Sequence, residues 1–413
     1  MAETETYIVV EDVQGAQGGT LARGSPDPKA QASAAEKLDA MTIQVAELTA
    51  REARAVDNSP LMIAAELMPT RLLHGLARRD DGNWIESRGE AVPFGTAGPP
   101  LKIGWGVAEV GAAGDDVGGA LATVAMLDTG IADHAAFAGV DILRQNFSRS
   151  EFLEDKNGHG THCAGTIFGR DCFGHRIGVA RGVAKAYVAK VLDDDGSGTS
   201  DGLLKGIKWA LDQHADVISI SVGYDFPGMV KQLADRGMPV DLATSRTLVA
   251  YRQNLRAFDA VMALARAMTG SEAGSVILAA TGNESRADLD PRYRVDATLP
   301  ASAQDVIGVA AAEQHGGLLR IADFSNGAPI IAAPGVDIVS AKPGEALARM
   351  SGTSMACPHA AGVAALWWDW LRKQYGSATA RQVAAQLSVT ARRNLFAPGF
   401  TRAEFGDGLA TAP

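Results

Sequence analysis

The stretch Val124-Ala125-Met126-Leu127-Asp128-Thr129-Gly130 is an apolar run that stops at a carboxylate. It falls in the first of five such runs: Leu121 to Leu127, Ala186 to Leu192, Val217 to Val222, Val276 to Thr281 and Val306 to Ala310. Strands of a parallel sheet read this way because crossover helices cover both faces. Helical patterns lie between the runs. In Asp201 to Ala215, Leu204, Ile207 and Leu211 recur at helical spacing, and Ser354 to Leu371 is small and apolar on all sides through Ala364, as a buried helix is. The expected class is α/β, a doubly wound and mainly parallel sheet with helices on both faces. Its ligand crevice should lie beyond the carboxyl ends of the strands, where Asp128 and Asn283 fall.

Three more segments carry reactive side chains. Asn157-Gly158-His159-Gly160-Thr161-His162 sets a histidine among glycines, Ala279-Ala280-Thr281-Gly282-Asn283 ends an apolar run in an amide, and Ser351-Gly352-Thr353-Ser354-Met355-Ala356 places a serine at the start of a helix. Serine is a weak nucleophile that needs a base, the base needs an orienting carboxylate, and an acyl-transfer intermediate needs a donor for its oxyanion. Taken singly, Ser354 reads as a helix cap, Asp128 as a strand-end turn residue and Asn283 as an Asx turn. Together Asp128, His159, Ser354 and Asn283 fill every role of a catalytic site.

With 413 residues, 46% hydrophobic side chains and 46 glycines, the chain can bury a large core rich in turns. A net charge of −10 gives no basic footprint for nucleic acid or an anionic membrane. No stretch reaches the roughly 20 apolar residues of a membrane span. Met1 to Asp12 carries glutamates and no basic region ahead of an apolar core, and three cysteines, Cys163, Cys172 and Cys357, suggest no disulfide framework. A cytoplasmic protein is expected, although a secreted chain whose leader had been removed would show the same residues. His159, His162 and Cys163 fit no standard zinc spacing, so no metal is expected there.

Residues 1–73 read as a small α+β, ferredoxin-like module. Thr6 to Asp12 and Thr42 to Leu48 are strand-like, an Ala-rich segment runs from Pro28 to Ala40, and Thr49 with Glu52 makes a capping box before a short helix. Residues 74–100 lack periodicity and read as an exposed linker, and 101–413 hold the sheet. Residues 224–270 are an insertion, with Leu248, Tyr251, Leu255, Phe258, Met262 and Ala265 on one helical stripe and a lead-in, Asp225 to Ala243, that could form a lip on the cleft.

From about Ile103 to Pro413 the chain resembles the subtilisin-like serine proteases, with the same order of Asp, His and Ser. Lys190 to Thr199 and Val217 to Gly223 resemble the two family segments whose backbone pairs with an extended peptide. Phe324-Ser325-Asn326, Ala333 to Ile338 and Phe405 to Leu409 follow the pattern too. The resemblance implies a serine endopeptidase acting on a polypeptide: Ser354 the nucleophile, His159 the general base, Asp128 its orienting carboxylate, Asn283 the oxyanion donor. It implies substrate binding by Gly196, Ser197, Gly198, Ser221, Val222 and Gly223, with Ala280, Thr281 and Gly282 beside the primary pocket. His162 corresponds to a structural histidine, and Cys163, four residues from His159, reads as a small buried hydrophobe.

The N-terminal module resembles the family's inhibitory propeptide, so Met68 to Leu73 should run toward the active site with cleavage between Leu73 and Leu101. The implied product is a self-inhibited precursor; the alternatives are a catalytically restrained peptide-binding protein and a processing protease dedicated to one partner. Two departures stand out. Ala136 and the loop Arg170 to His175 replace the carboxylate and Asn-rich loop through which many members bind calcium, so no cofactor is expected. The segment Glu284 to Ala297 alternates acidic and basic residues and does not align clearly with the family; it should contribute to the wall of the primary pocket, where Asp290 or Asp296 could select a basic side chain.

Overall fold

The computed structural model describes residues 4–12, 41–59, 62–73, 76–78, 84–87, 89–92, 101–114, 118–268 and 274–413. Strand β1 (Thr4–Asp12) lies between β2 (Met41–Thr49) and β3 (Met62–Glu66), antiparallel to both. Period-two alternation splits its side chains between two faces. Tyr7 packs with Ala53 of helix α1 (Ala50–Asp57) and with Ala64, whereas Ile8 and Val10 join a core shared with the rest of the protein. The capping box forms as expected: Thr49 Oγ1 accepts from the Glu52 N–H at 3.3 Å, and the Glu52 carboxylate accepts from the Thr49 N–H at 2.8 Å. The Ala-rich segment Pro28 to Ala40 lies outside the described residues. Strand β4 (Pro69–Leu72) leaves this module for the cleft.

The five apolar runs all enter one sheet. Its strands are β5 (Thr123–Asp128), β6 (Asp141–Asn146), β7 (Lys185–Lys190), β9 (Val217–Ile220), β11 (Val276–Ala280) and β12 (Val306–His315), with β8 (Ser197–Thr199) and β10 (Val222–Tyr224) set apart along the cleft. The order is β6-β7-β5-β9-β11-β12, all parallel. Strand β13 (Leu318–Ile321) pairs antiparallel and β14 (Ile331–Pro334) parallel with β12. From β5 the chain moves outward to β6, returns to β7, then crosses to β9 on the other side. That reversal opens a crevice at the carboxyl end of β5, where Asp128 stands. The edge strand β6, Asp-Ile-Leu-Arg-Gln-Asn, alternates exposed and half-buried residues, so it carries no apolar run to read.

Helix α2 (His159–Phe168) is buried along its whole length on the sheet face of Val124 and Met126, and α3 (Ser200–Asp212) covers the opposite face, that of Ala125 and Leu127. The insertion folds as α4 (Phe226–Asp235) and α5 (Val240–Met268). Here the expected stripe needs correction: Phe258, Met262 and Ala265 are buried, but Leu248 is 60% exposed. The helix starts earlier than its apolar stripe suggests, and Ala243, Thr247, Ala250 and Asn254 face inward instead. They do so because this half of α5 packs under β3, where Asn254 Nδ2 donates to the Glu66 carbonyl at 2.8 Å. Helix α6 (Thr353–Tyr375) runs through the core against β9, β11, β12 and β14.

Residues 74–100 hold more structure than their aperiodicity suggests. Three-residue strands occur at Leu76–Arg78, Trp84–Glu86 and Glu90–Val92, the last paired with Ala346–Met350. Strands this short cannot display a period, which is why the sequence shows none. Among the described residues, no helix is long and apolar enough to cross a membrane.

Candidate active site

Asp128 closes β5 and is fully buried, and His159 is the first residue of α2. Nδ1 of His159 donates to the Asp128 carboxylate, 2.8 Å from Oδ1 and 3.0 Å from Oδ2, and the Thr129 N–H donates to Oδ1 at 2.7 Å. A carboxylate can only accept, so the imidazole proton sits on Nδ1 and Nε2 is left as the base. Nε2 is buried without a hydrogen-bond partner. The helix can come this close to β5 only because residue 160 is glycine: a Cβ there would sit 2.1 Å from the Gly130 carbonyl oxygen.

Asp155 fixes the same corner, and sequence reasoning passed over it. Buried in the loop before α2, its Oδ1 accepts from Thr129 Oγ1 and the Asn157 and Gly158 N–H groups at 2.8–3.0 Å. Its Oδ2 accepts from the N–H and Oγ1 of Thr161 at 2.9 and 2.6 Å. One carboxylate thus caps the helix that carries His159 and ties it to the residue after Asp128. Read in sequence it is one acid among several in a charged loop, with no local signal of its burial.

Ser354 is buried in the first turn of α6. Four residues on, Pro358 has no N–H, so the Ser354 carbonyl lacks its helical donor. The Cys163 thiol and the Ser221 hydroxyl supply the bonds instead, each at 3.3 Å. Thr353, just before the serine, holds the amide: its N–H and Oγ1 donate to Asn283 Oδ1 at 2.9 and 2.8 Å, and Oγ1 accepts from the Gly282 N–H at 3.2 Å. With Oδ1 used as acceptor, the NH2 end of Asn283 is the end turned to donate.

The cleft edges are occupied by the chain itself. β4 lies antiparallel between β8 and β10, with Ser197 opposite Arg71, Gly198 opposite Thr70, Val222 opposite Leu72 and Gly223 opposite Arg71. The Leu72 N–H donates to the Gly196 carbonyl at 2.8 Å. One residue later, the Ser354 hydroxyl donates to the Leu73 carbonyl at 2.8 Å. The buried Leu73 side chain lies against Gly223, where a Cβ would fall 2.9 Å from its Cδ2. Beyond it, the Leu76 and Ser351 backbones bond to each other.

Residues 119–408 match the subtilase family, peptidase S8. The chain belongs to that family. Among its relatives, a thermostable alkaline protease of Halalkalibacterium halodurans is 33% identical over 296 residues, 70% of this chain and 66% of the relative. Subtilisin-like protease 6 of Trichophyton soudanense and of Trichophyton rubrum are each 37% identical over 272 residues, 63% of this chain and 57% of the relative. The match thus spans between just over half and about two thirds of these relatives' length.

In this subtilase the peptide-pairing residues divide. Gly196, Ser197, Gly198, Val222 and Gly223 face β4, joined by Thr199, the last residue of the first expected segment, and by Tyr224, which lies just beyond the second. Ser221 stands outside the ladder, its side chain turned under α6 to the Ser354 carbonyl. Ala280 shares a buried apolar cluster with Leu73, while Thr281 and Gly282 are bonded to Asn326, Val309 and Thr353 behind it. Neither acid expected to select a basic group reaches the cleft strand: Asp290 pairs with Arg292 at 2.7 Å, and Asp296 is exposed beside Gly327.

Cys163 is fully buried, and burial, reinforced by Asp128, pushes its thiol well above the usual range. Its Sγ, the His159 Nδ1 and an Asp128 oxygen lie within 4.8 Å of one another. His162 points elsewhere, Nε2 donating to the Ile338 and Ala348 carbonyls at 3.0 and 3.2 Å, and burial lowers its pKa to about 3. In the loop Arg170 to His175, Arg170 donates to the carbonyls of Arg181 and Val183, a donor set that does not suit a cation; just beyond the loop, Arg176 donates to the carbonyls of Ala112, Ala113 and Gly114.

Proposed function

We propose that this subtilase is a serine endopeptidase, made with its N-terminal module as an intramolecular inhibitor whose first cut is the bond after Leu73. One observation carries the reading: the Ser354 hydroxyl meets the Leu73 carbonyl at 2.8 Å while Pro69–Leu72 forms the middle strand of the cleft. Ion pairs support the docking. Arg246 of α5 bridges Glu66 at 2.9 Å and also reaches Glu5, and Arg256 pairs with Asp57 at 2.9 Å.

In the proposed mechanism Ser354 Oγ turns its proton to His159 Nε2 and adds to the carbonyl carbon, and Asp128 stabilises the imidazolium that results. The carbonyl electrons move to oxygen, where the Asn283 amide and the Ser354 N–H at the positive end of α6 hold the charge. Collapse expels the amine, which takes its proton from His159, and water then releases the acyl group by the same steps. No metal enters. The roles of Asp128, His159, Asn283 and Ser354 rest on this placement, and the substrate class is an extended polypeptide.

The bond from Ser354 to Leu73, with His159 Nε2 unpartnered, also favours a second reading: a restrained peptide-binding protein held shut by its own module. Intact mass of the wild type and of Ser354→Ala separates the two. The expected result is a wild type cut after Leu73 and an uncut variant, with peptide hydrolysis reduced about 10⁶-fold. An uncut wild type with full activity would end the precursor reading, and one that never reacts with a fluorophosphonate would end the peptidase reading.

A further inference from the structure

We propose that Glu284 and Asp225 form a subsite that selects a positively charged side chain at the third residue on the amino side of the cut. The inference rests on the peptidase reading above and names what that cleft prefers. Counting back from the Leu73 carbonyl at Ser354, Leu72 is second and Arg71 third. Thr70 and Leu72 point into the protein and are buried, so alternation sends Arg71 to the rim. There its Nη2 donates to Glu284 Oε1 at 2.7 Å, and its Nε lies 3.6 Å from Asp225 Oδ1.

The two acids come from opposite walls: Glu284 follows Asn283, and Asp225 follows β10. Each is held by bonds that do not involve Arg71. Glu284 Oε2 accepts from Nδ2 of the buried Asn326 at 2.7 Å, and Asn326 Oδ1 in turn accepts from the Glu284 N–H at 3.1 Å. Asp225 Oδ1 accepts from the Gly228 N–H at 3.0 Å as the cap of α4. A receptor fixed before its ligand arrives loses little entropy on binding. A planar guanidinium can address both carboxylates at once, whereas a lysine ammonium meets them as a point charge.

Arg71, Glu284 and Asp225 keep 34%, 29% and 21% of their side-chain surface, so solvent weakens the attraction without abolishing it. An acidic side chain in Arg71's place would face two carboxylates of its own sign. In the chain itself, Arg71 uses the same contacts to seat the module.

The test uses the full chain after self-processing and three peptides: Pro-Thr-Arg-Leu-Leu-His-Gly-Leu, which copies residues 69–76, and versions with Gln or Glu for the arginine. The expected kcat/KM falls about fivefold from Arg to Gln and more than about tenfold from Arg to Glu. In the double variant Glu284→Gln, Asp225→Asn the three peptides should be cut at nearly one rate. Equal rates on the wild type overturn the subsite while leaving the peptidase reading intact, and so does a preference that survives the double substitution. If the wild type cuts none of the peptides, the peptidase reading fails and the subsite with it.

Discussion

The corner that holds Asp128 and His159 and the edges that hold β4 are built on different principles. At the corner, side chains do the holding: two buried carboxylates, Asp128 and Asp155, bind His159 and the first turn of its helix. At the edges the backbone does it, through ladders from β8 and β10 that any extended peptide could complete. A corner of this kind fixes which bond chemistry occurs, and an edge of this kind leaves sequence choice to the few side chains at the rim. Substitutions at the corner should therefore lower kcat, and those at the edges should change KM and preference.

The sharpest break in that contrast is Asn283→Ala. It removes the proposed oxyanion donor without touching the ladders, so kcat should fall about 10²–10³-fold, the loss seen when a related protease loses this amide, with KM nearly unchanged. A matching rise in KM would mean that Asn283 belongs with the edges.

A smaller effect is expected from Asp155→Asn, which leaves one acceptor oxygen for five donors. Because Asp155 acts through the helix bearing His159, kcat should drop about tenfold at constant KM, and stability should fall by about 1–3 kcal/mol in a denaturant titration. Loss of stability with no change in kcat would confine Asp155 to folding.

Acid should destabilise the fold behind both regions, through two buried histidines, His162 of α2 and His359 of α6, that touch neither the corner carboxylates nor β4. Burial lowers His162 from an ordinary value of 6.5 to about 3 and His359 to about 4, so below pH 6.5 the unfolded chain binds protons that the folded chain refuses. Stability therefore rises with pH through this window, by up to about 1.4 kcal/mol per unit for each histidine, and flattens above it. Unfolding midpoints between pH 4 and 8 test the sign; a midpoint that rises as pH falls would contradict it.

The smallest shift is expected from a chelator. With arginines bonded to the carbonyls near Ala112 and Val183, adding EDTA should move the Tm by less than about 2 °C. A drop of ten degrees would place calcium in the fold.

Much of the corner was legible because its chemistry is local. Gly158-His159-Gly160 sets the reactive side chain between a glycine with positive φ and one that close packing requires, Ser354 follows Gly352-Thr353, and the apolar runs ending at Asp128 and Asn283 mark the ends of strands. Pro358 was a legible signal left unread: a proline four residues after a helical serine frees that serine's carbonyl, and Cys163 and Ser221 answer it. The rim was not legible. Arg71 and Glu284 lie 213 positions apart, and each reads singly as a solvated charge.

By itself, then, the sequence determined the sheet and its covered faces and singled out the four proposed reactive groups, since burial period, glycine placement and residue chemistry are properties of short segments. The resemblance sent Met68 to Leu73 toward the active site, but only the tertiary structure decided which carbonyl meets Ser354, that Asp155 braces His159 and that Leu248 faces outward. Those contacts depend on how the strand order reverses at β5 and how β4 enters between β8 and β10, and no local pattern encodes a pairing between segments so far apart.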